Sequence, residues 1–105
     1  MQQNEQVILN GIKKAILEVV PDAGVILFGS RARKDAQEES DWDILVLTDQ
    51  QVDEKFKRRV RDRLFYEGLE KEICISSLIF NKKEWNGKFN HYPLFLEIKR
   101  EGIAV

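Results

Sequence analysis

The fold is decided by two stretches, Gly24-Val-Ile-Leu-Phe-Gly-Ser-Arg-Ala-Arg33 and Ser40-Asp-Trp-Asp-Ile-Leu-Val-Leu-Thr48. Their apolar parts, residues 24–28 and 43–48, are short, continuous and rich in Val, Ile and Leu, which is typical of buried strands. Gly29-Ser30 interrupts the first run, and Ser30 is a suitable N-cap for a short helix beginning at Arg31-Ala32-Arg33. The stretch therefore predicts a strand, a glycine turn, a short helix and a second strand.

Hydrophobic spacing predicts the elements around this stretch. Apolar residues repeat at helical spacing from Ile8 to Val19, where Pro21-Asp22 ends the helix, and again across residues 53–69. Alternating isoleucines predict a third strand over residues 72–80. A capping box at 81–84 predicts a short helix at Trp85, and Pro93 a last helix with Leu94, Phe95 and Ile98 facing inward. This order predicts an α/β or α+β domain, a small mixed β-sheet with flanking helices.

Size and composition narrow the class of protein. The 105 residues, 43% hydrophobic and 33% charged, suit a single globular domain over residues 1–105. A formal net charge of −1 argues against bulk electrostatic binding of nucleic acid. One cysteine and one histidine argue against a zinc site, whereas abundant carboxylates favour a hard, oxygen-ligated metal. With no membrane-length apolar run and no signal-peptide pattern at the N-terminus, we expect a cytoplasmic protein that does not bind a membrane.

The glycine turn has the properties of a phosphate-binding loop. A helix N-terminus presents unpaired N–H groups and partial positive charge, and a glycine lets an anion approach the backbone. The Ser30 hydroxyl can add a donor, while Arg31 and Arg33 lie close enough in sequence to supply charge to a polyphosphate. Nucleotide binding at this loop is the resulting prediction.

Two aspartates begin the second strand. Asp41 and Asp43 are two residues apart, so their side chains share one face and can reach a common Mg²⁺ or a pair of ions. Two such ions can clamp the attacking and leaving oxygens of an in-line displacement. A phosphate-binding loop beside a dicarboxylate is the apparatus of phosphoryl or nucleotidyl transfer.

The two motifs together resemble a known family. Gly29-Ser30-x-Ala32 followed by Ser40-Asp41-x-Asp43 is similar to the signature of the DNA polymerase β-like nucleotidyltransferase superfamily, in its minimal (MNT) form. Lys71-Glu72-Ile73 resembles the place where that family has its third carboxylate, and the stretch 97–103 resembles its C-terminal ending. The resemblance covers nearly the whole chain and implies the nucleotidyltransferase fold.

The resemblance also implies roles for individual residues. Gly29 and Ser30 would bind the triphosphate of ATP, with Ser40 as a further nucleotide contact. Asp41 and Asp43 would coordinate Mg²⁺, with two ions expected. Glu72 would complete the metal site or activate the acceptor hydroxyl.

Three residues depart from the family pattern. One is Glu72, which stands where aspartate is commoner and whose carboxylate reaches about one bond further. Lys34 stands where glycine is common, and if that position needs a positive φ, lysine costs about 1 kcal/mol. Trp42 stands between the aspartates in place of an aliphatic residue, and alternation directs it away from the metal face.

The resemblance implies transfer of a nucleoside monophosphate, AMP from ATP, to an acceptor hydroxyl. The acceptor stays open among a small molecule such as an aminoglycoside, a nucleic-acid end and a protein hydroxyl. Minimal domains of this kind often act as the antitoxin of a helical HEPN-type partner, and a homo-oligomer is the other assembly considered. The alternative function is an interaction module, catalytically weak or inactive, that neutralises a partner by binding.

Overall fold

The computed structural model describes residues 4–105, which fold into helices packed on both faces of one sheet. In chain order the elements are α1 (Glu5–Val19), β1 (Gly24–Phe28), α2 (Ser30–Arg33), β2 (Trp42–Thr48), α3 (Glu54–Lys71), β3 (Ile75–Asn81), α4 (Lys82–Asn86), α5 (Pro93–Glu101) and β4 (Ile103–Ala104). The predicted fold class is confirmed. Residues 1–3, which contributed to the N-terminal pattern judged above, lie outside the described residues.

The sheet has the strand order β3-β2-β1-β4 and is mixed. β1 pairs antiparallel with β2 and with β4, whereas β2 and β3 run parallel. The central position of β2 explains its continuous apolar sequence, because both of its faces are covered. β4 was not predicted, because its two residues are too few to show an alternating pattern.

The two faces of the sheet carry different helices. One cluster of buried residues joins α1 and α3 to Trp42, Ile44 and Val46 of β2. The other joins Leu45 and Leu47 to aromatic and aliphatic residues of the C-terminal helices, Trp85, Phe95 and Ile98. Alternation along β2 therefore places Asp43 on the α4–α5 side and Trp42 on the α1–α3 side.

Several local predictions are confirmed and others corrected. Asn81 caps α4 as expected, accepting from the N–H groups of Lys83 and Glu84. Ser30 is the first residue of α2 and not its N-cap, a position that Gly29 takes. Leu94, expected inward with Phe95 and Ile98, is 39% exposed, because α5 turns only a narrow stripe toward the sheet.

The helices of the described chain differ from membrane spans. Among residues 4–105, none has the length and apolar character needed to cross a bilayer.

Candidate active site

The loop after β1 depends on a glycine. Gly29 has φ 75° and ψ −158°, a backbone conformation that side-chain-bearing residues rarely adopt. Its carbonyl accepts hydrogen bonds from the N–H groups of Ala32 and Arg33, both at 3.0 Å, which start α2. The change from strand to helix is thus made at this single residue.

The same glycine contacts the aspartate of β2. Phe28 pairs with Asp43 across the antiparallel strands, so Gly29 lies beside the Asp43 side chain. A Cβ added at Gly29 would overlap the Asp43 carboxylate. The phosphate-binding loop and the carboxylate predicted from separate motifs are therefore in direct contact.

Asp41 and Asp43 form a repulsive pair. Asp43 is half-buried and Asp41, one residue before β2, is exposed. Burial raises the pKa of Asp43, and the negative charge of Asp41 raises it further; Glu101 acts in the same direction and Arg33 opposes them. A cation bound at Asp43 would stabilise the charge that burial and the neighbouring carboxylate disfavour.

Arg33 lies on the side of the sheet that carries Asp43, next to Glu101 of α5. Its guanidinium Nη1 donates to both carboxylate oxygens of Glu101, at 3.2 and 3.3 Å, and its Nε donates to Asp35. The Arg33 side chain is 43% exposed, so it can change partners without a large loss of packing. Its predicted role in holding a polyphosphate fits this position.

Arg31, also predicted to bind nucleotide, points the other way. Its guanidinium carbon stacks 4.5 Å from the centre of the Trp42 ring, on the α1–α3 side, and Nη2 donates to the carbonyls of Glu38 and Ser40. Successive residues of a one-turn helix point in different directions, and only Arg33 is directed to the α5 side. In this structure Arg31 fixes the loop that leads to Asp41, and its role in nucleotide binding stays a prediction.

The serines of the two motifs lie at the same end of the sheet. Ser40 accepts a hydrogen bond from the Gln37 N–H at 2.8 Å, so its hydroxyl oxygen closes the turn before Asp41. Ser30 is half-buried at the start of α2, next to Gly29. The roles of Ser30 and Ser40 in nucleotide binding stay predictions.

Lys34 ends α2 in the left-handed conformation, with φ 68° and ψ 25°. The position therefore has the positive φ that was considered from the sequence. A glycine adopts this conformation freely, whereas a lysine adopts it at a cost in free energy. The Lys34 N–H still donates to the Ser30 carbonyl, so the helix end is formed despite the substitution.

Comparison with known proteins identifies the family of the chain. The sequence model of a family described as "Nucleotidyltransferase domain" matches residues 9–100, a span that contains the loop and both aspartates. The chain belongs to the nucleotidyltransferase family. A Methanocaldococcus jannaschii protein described as "Putative protein adenylyltransferase" is 38% identical over 77 residues, covering 71% of this chain and 78% of that protein.

Solved nucleotidyltransferase-fold structures superpose on this chain. A toxin–antitoxin crystallised with AMP-PNP aligns with a TM-score of 0.64 at 18% identity, covering 90% of this chain and 69% of that one. A tri-AMPylated Shewanella oneidensis HEPN toxin in complex with an MNT antitoxin aligns with a TM-score of 0.62 at 16% identity, covering 96% and 71%. At these identities the likeness establishes the fold, that of a minimal nucleotidyltransferase.

The third acidic residue predicted for this nucleotidyltransferase does not join the aspartates. α3 continues to Lys71, and Glu72 is its C-cap, with φ 58°, so the strand predicted from residue 72 begins only at Ile75. Glu72 lines a cleft with Trp42, on the α1–α3 side of the sheet. The prediction that it shares the metal face is wrong, because strand alternation was extended into a helix end.

Of the three acidic residues predicted as metal donors, Asp41 and Asp43 are thus the two that lie together. Ser76, not a carboxylate, pairs with Asp43 on β3. Within residues 4–105, no three His, Cys, Asp or Glu side chains are grouped so that they could hold an ion. Two carboxylates still suit Mg²⁺, which commonly binds one or two of them and takes its remaining ligands from water and substrate phosphates.

One residue at the site was not predicted. Glu101, the last residue of α5, accepts hydrogen bonds from the Gly29 N–H and from Arg33, and 12% of its side chain is exposed. It lies within the C-terminal stretch 97–103 that resembles the family, and that resemblance is the only signal that pointed to it.

Proposed function

We propose that this nucleotidyltransferase moves AMP from ATP, with Mg²⁺, to a hydroxyl of a helical HEPN-type partner protein, as an MNT-type antitoxin. Residues 1–105 would form one such domain, acting in the cytoplasm. Support comes from the relative described as a "Putative protein adenylyltransferase" and from neighbours that include a tri-AMPylated HEPN toxin with its MNT antitoxin. AMP-PNP in another neighbour supports ATP as the nucleotide.

The triphosphate would lie against the loop between β1 and α2. The Gly29 N–H and the Arg33 guanidinium offer donors on the side of the sheet that carries Asp43, and the predicted third donor, Ser30, follows Gly29 directly. Gly29 has no side chain to keep a phosphate oxygen from the backbone. Arg33 is the only one of the two loop arginines that faces this side.

The carboxylates would hold the metal at the reacting phosphate. Asp41 and Asp43 repel each other in the metal-free protein, and Asp43 lies against Gly29. Bound Mg²⁺ would supply charge neutralisation at the phosphate oxygens during transfer. Arg31 contributes indirectly, since its bond to the Ser40 carbonyl fixes the residue before Asp41.

The reaction exchanges a phosphoanhydride bond of ATP for a phosphate ester bond to the acceptor. The acceptor hydroxyl oxygen forms a bond to the α-phosphorus of ATP, and the bond from that phosphorus to the bridging oxygen breaks. Pyrophosphate leaves with this oxygen, and the hydroxyl proton passes to an Asp41 or Asp43 carboxylate or to water. The product is an AMP ester of the acceptor.

A single contact carries the proposal: Gly29 lies so close to Asp43 that no Cβ fits between them. A turn glycine or an exposed aspartate alone has ordinary structural explanations. Their direct contact supports the proposal, because nucleotidyl transfer would need an anion-binding backbone beside a metal-binding carboxylate.

The test uses two labelled forms of ATP. The full-length protein is incubated with Mg²⁺ and a cell extract, with ATP carrying ³²P at the α position or at the γ position. The proposal expects label from α-labelled ATP on one or a few proteins and none from γ-labelled ATP. Mass spectrometry of the labelled band should find AMP on a hydroxyl residue, and Asp43→Asn should abolish the label.

Other outcomes would select other functions. Label from γ-labelled ATP would indicate a kinase, and label on a free small molecule would indicate a metabolic or antibiotic-modifying enzyme. If no label appears while the protein still captures a partner from the extract, the catalytic proposal fails in favour of the interaction module. Lys34 in its unfavourable conformation and Ser76 beside Asp43 are the observations that favour this second function.

A further inference from the structure

The carboxylate of Glu101 occupies the donors of the loop. Its Oε1 atom lies 3.2 Å from the Gly29 nitrogen and 3.2 Å from Arg33 Nη1, and its Oε2 atom lies 3.3 Å from the same Arg33 nitrogen. An anion thus already accepts from a backbone N–H and a guanidinium, the groups with which proteins bind phosphate. This anion belongs to the chain itself.

The backbone that carries Glu101 is tightly held. The following residue, Gly102, has its N–H bonded to the Ile98 carbonyl at 2.6 Å, and a Cβ placed there would lie 2.8 Å from Ile26 of β1. Beyond it, β4 pairs with Ile26 and Leu27. The segment is packed on the strand that leads into the loop, so the Glu101 side chain can leave Gly29 by rotation while its backbone stays in place.

The negative charges around Glu101 would disfavour its carboxylate at Gly29 once a triphosphate binds there. Asp43 lies near enough to Glu101 for their charges to interact unfavourably, and Asp41 adds a third negative charge nearby. A triphosphate bound to Gly29 and Arg33 would bring further negative charge to the same place. Glu101 and a phosphate oxygen cannot accept from the same Gly29 N–H together.

We propose that Glu101 is an intramolecular competitor for the triphosphate site, bound to Gly29 and Arg33 until ATP displaces it. The inference rests on the proposed function, since it assumes that the triphosphate binds this loop. Glu101 thereby satisfies the loop donors in the empty protein and lowers the affinity for nucleotide. ATP binding requires the Glu101 side chain to turn away from Gly29.

The test compares Glu101→Gln with a matched variant, Glu97→Gln. Glu97 lies one turn earlier on α5 and is exposed, so its replacement makes the same change in net charge away from the loop. Dissociation constants are measured by calorimetry for a non-hydrolysable ATP analogue with Mg²⁺ and for inorganic tripolyphosphate. Glu101→Gln should bind both probes about five- to tenfold more tightly, because a neutral amide is a weaker competitor for charged donors.

The outcomes distinguish a Glu101 that competes with triphosphate from a Glu101 that only stabilises the loop. The dissociation constants of Glu97→Gln should stay within about twofold of those of the natural protein. That difference measures the contribution of net charge alone. If Glu101→Gln binds both probes as weakly as, or more weakly than, the natural protein, Glu101 only braces Gly29 and the inference is overturned. If neither the natural protein nor Glu101→Gln binds either probe, the loop is not a triphosphate site and the proposed function falls as well.

Discussion

The guanidinium carbon of Arg31 lies 4.5 Å from the centre of the Trp42 ring, on the face of the sheet opposite to Asp43. Arg31 also holds the carbonyl oxygens of Glu38 and Ser40, at 3.0 and 2.9 Å. The arginine thus ties the start of α2 to the segment that ends at Asp41. Trp42, unusual between two aspartates, supplies the flat surface on which the guanidinium rests.

Replacing each of the two loop arginines by glutamine should therefore affect different properties: stability for Arg31 and triphosphate affinity for Arg33. Arg31→Gln loses two charged hydrogen bonds and a stacking contact, so its free energy of unfolding should fall by about 1–2 kcal/mol, with little loss of triphosphate affinity. Arg33→Gln should lose less stability, because the Arg33 side chain is 43% exposed, and should bind triphosphate about tenfold more weakly. Urea unfolding and calorimetry measure the two effects. Equal losses of affinity in both variants would return Arg31 to the nucleotide site.

Gly29→Ala should block triphosphate binding and destabilise the protein. The added Cβ would overlap the Asp43 carboxylate, and alanine at φ 75° and ψ −158° is strained, so we expect a loss of about 1–3 kcal/mol in the free energy of unfolding. Gly24→Ala is the matched control at the other end of β1, where the new Cβ would meet Leu47 at an ordinary 3.9 Å. A folded Gly29→Ala protein with normal triphosphate affinity would remove this loop from the site.

Asp43→Asn should abolish nucleotidyl transfer while the fold survives. Burial and the charge of Asp41 raise the pKa of Asp43, so its ionisation at neutral pH costs stability in the metal-free protein. Removing the charge should leave the melting temperature unchanged or higher, and Asp41→Asn should behave similarly. The measurements are thermal unfolding without metal and AMP transfer with Mg²⁺, beside exposed Asp62→Asn as control. Full transfer activity in either site variant would contradict the metal assignment.

Asp22 should make the protein sensitive to acid. Hydrogen bonds from the Asp49 N–H and from the Thr48 hydroxyl hold the pKa of Asp22 below its ordinary value. A carboxylate with a lowered pKa in the folded state stabilises that state at pH above its unfolded pKa of about 3.9, and the contribution is lost as pH falls through the folded pKa. Asp22→Ala should therefore melt lower than the natural protein at pH 7, and the difference should narrow below about pH 4.

The control for this effect is Asp62→Ala on the exposed face of α3. It removes one carboxylate without removing the bonds that join residue 22 to the end of β2. Thermal unfolding from pH 7 to pH 3 should give parallel curves for Asp62→Ala and the natural protein. A constant difference between Asp22→Ala and the natural protein across this range would show that the ionised carboxylate is not the stabilising group.

The parts of the fold that could be predicted from the sequence are the helices and strands whose hydrophobic pattern extends over many residues. Helical and alternating patterns located the long helices and the central strands, because several buried side chains define each one. The contact between Gly29 and Asp43 followed from two motifs at the ends of strands that turned out to be neighbours. Strand order could not be predicted. The apolar sequence of β2 shows that both of its faces are covered, but it does not show which strands pair with its two edges.

The errors at the site share a physical cause. Glu72 was placed by extending strand alternation backward from Ile75, but a left-handed C-cap reverses the chain direction there and takes the side chain to the other face. Arg31 and Arg33 were grouped by proximity in sequence, whereas residues two positions apart on a helix differ in direction by about 200°. Glu101 was missed because its contact with Gly29 joins residues 72 positions apart, and neither local pattern contains it.

The isolated protein should bind ATP with Mg²⁺ yet transfer AMP poorly to small acceptors. Transfer needs the acceptor hydroxyl held in line at about 3–3.5 Å from the α-phosphorus, and such positioning supplies much of the rate. Asp41 is exposed and Asp43 half-buried, so the site is open to solvent. The turn after α4 offers little to close it, since the partly buried Phe89 packs against the core, with its ring centre 5.1 Å from that of Phe80.

A partner protein should therefore complete the site, docking near the exposed residues of α5, such as Leu94 and Leu96, or along the basic helix α3. The measurement is pyrophosphate release with aminoglycosides, glycerol and free tyrosine, and then with a partner captured by pull-down and identified by mass spectrometry. We expect release to be at least about 100-fold faster with the partner. Efficient modification of a free small molecule by the isolated protein would overturn this prediction, because the site would then hold an acceptor without help.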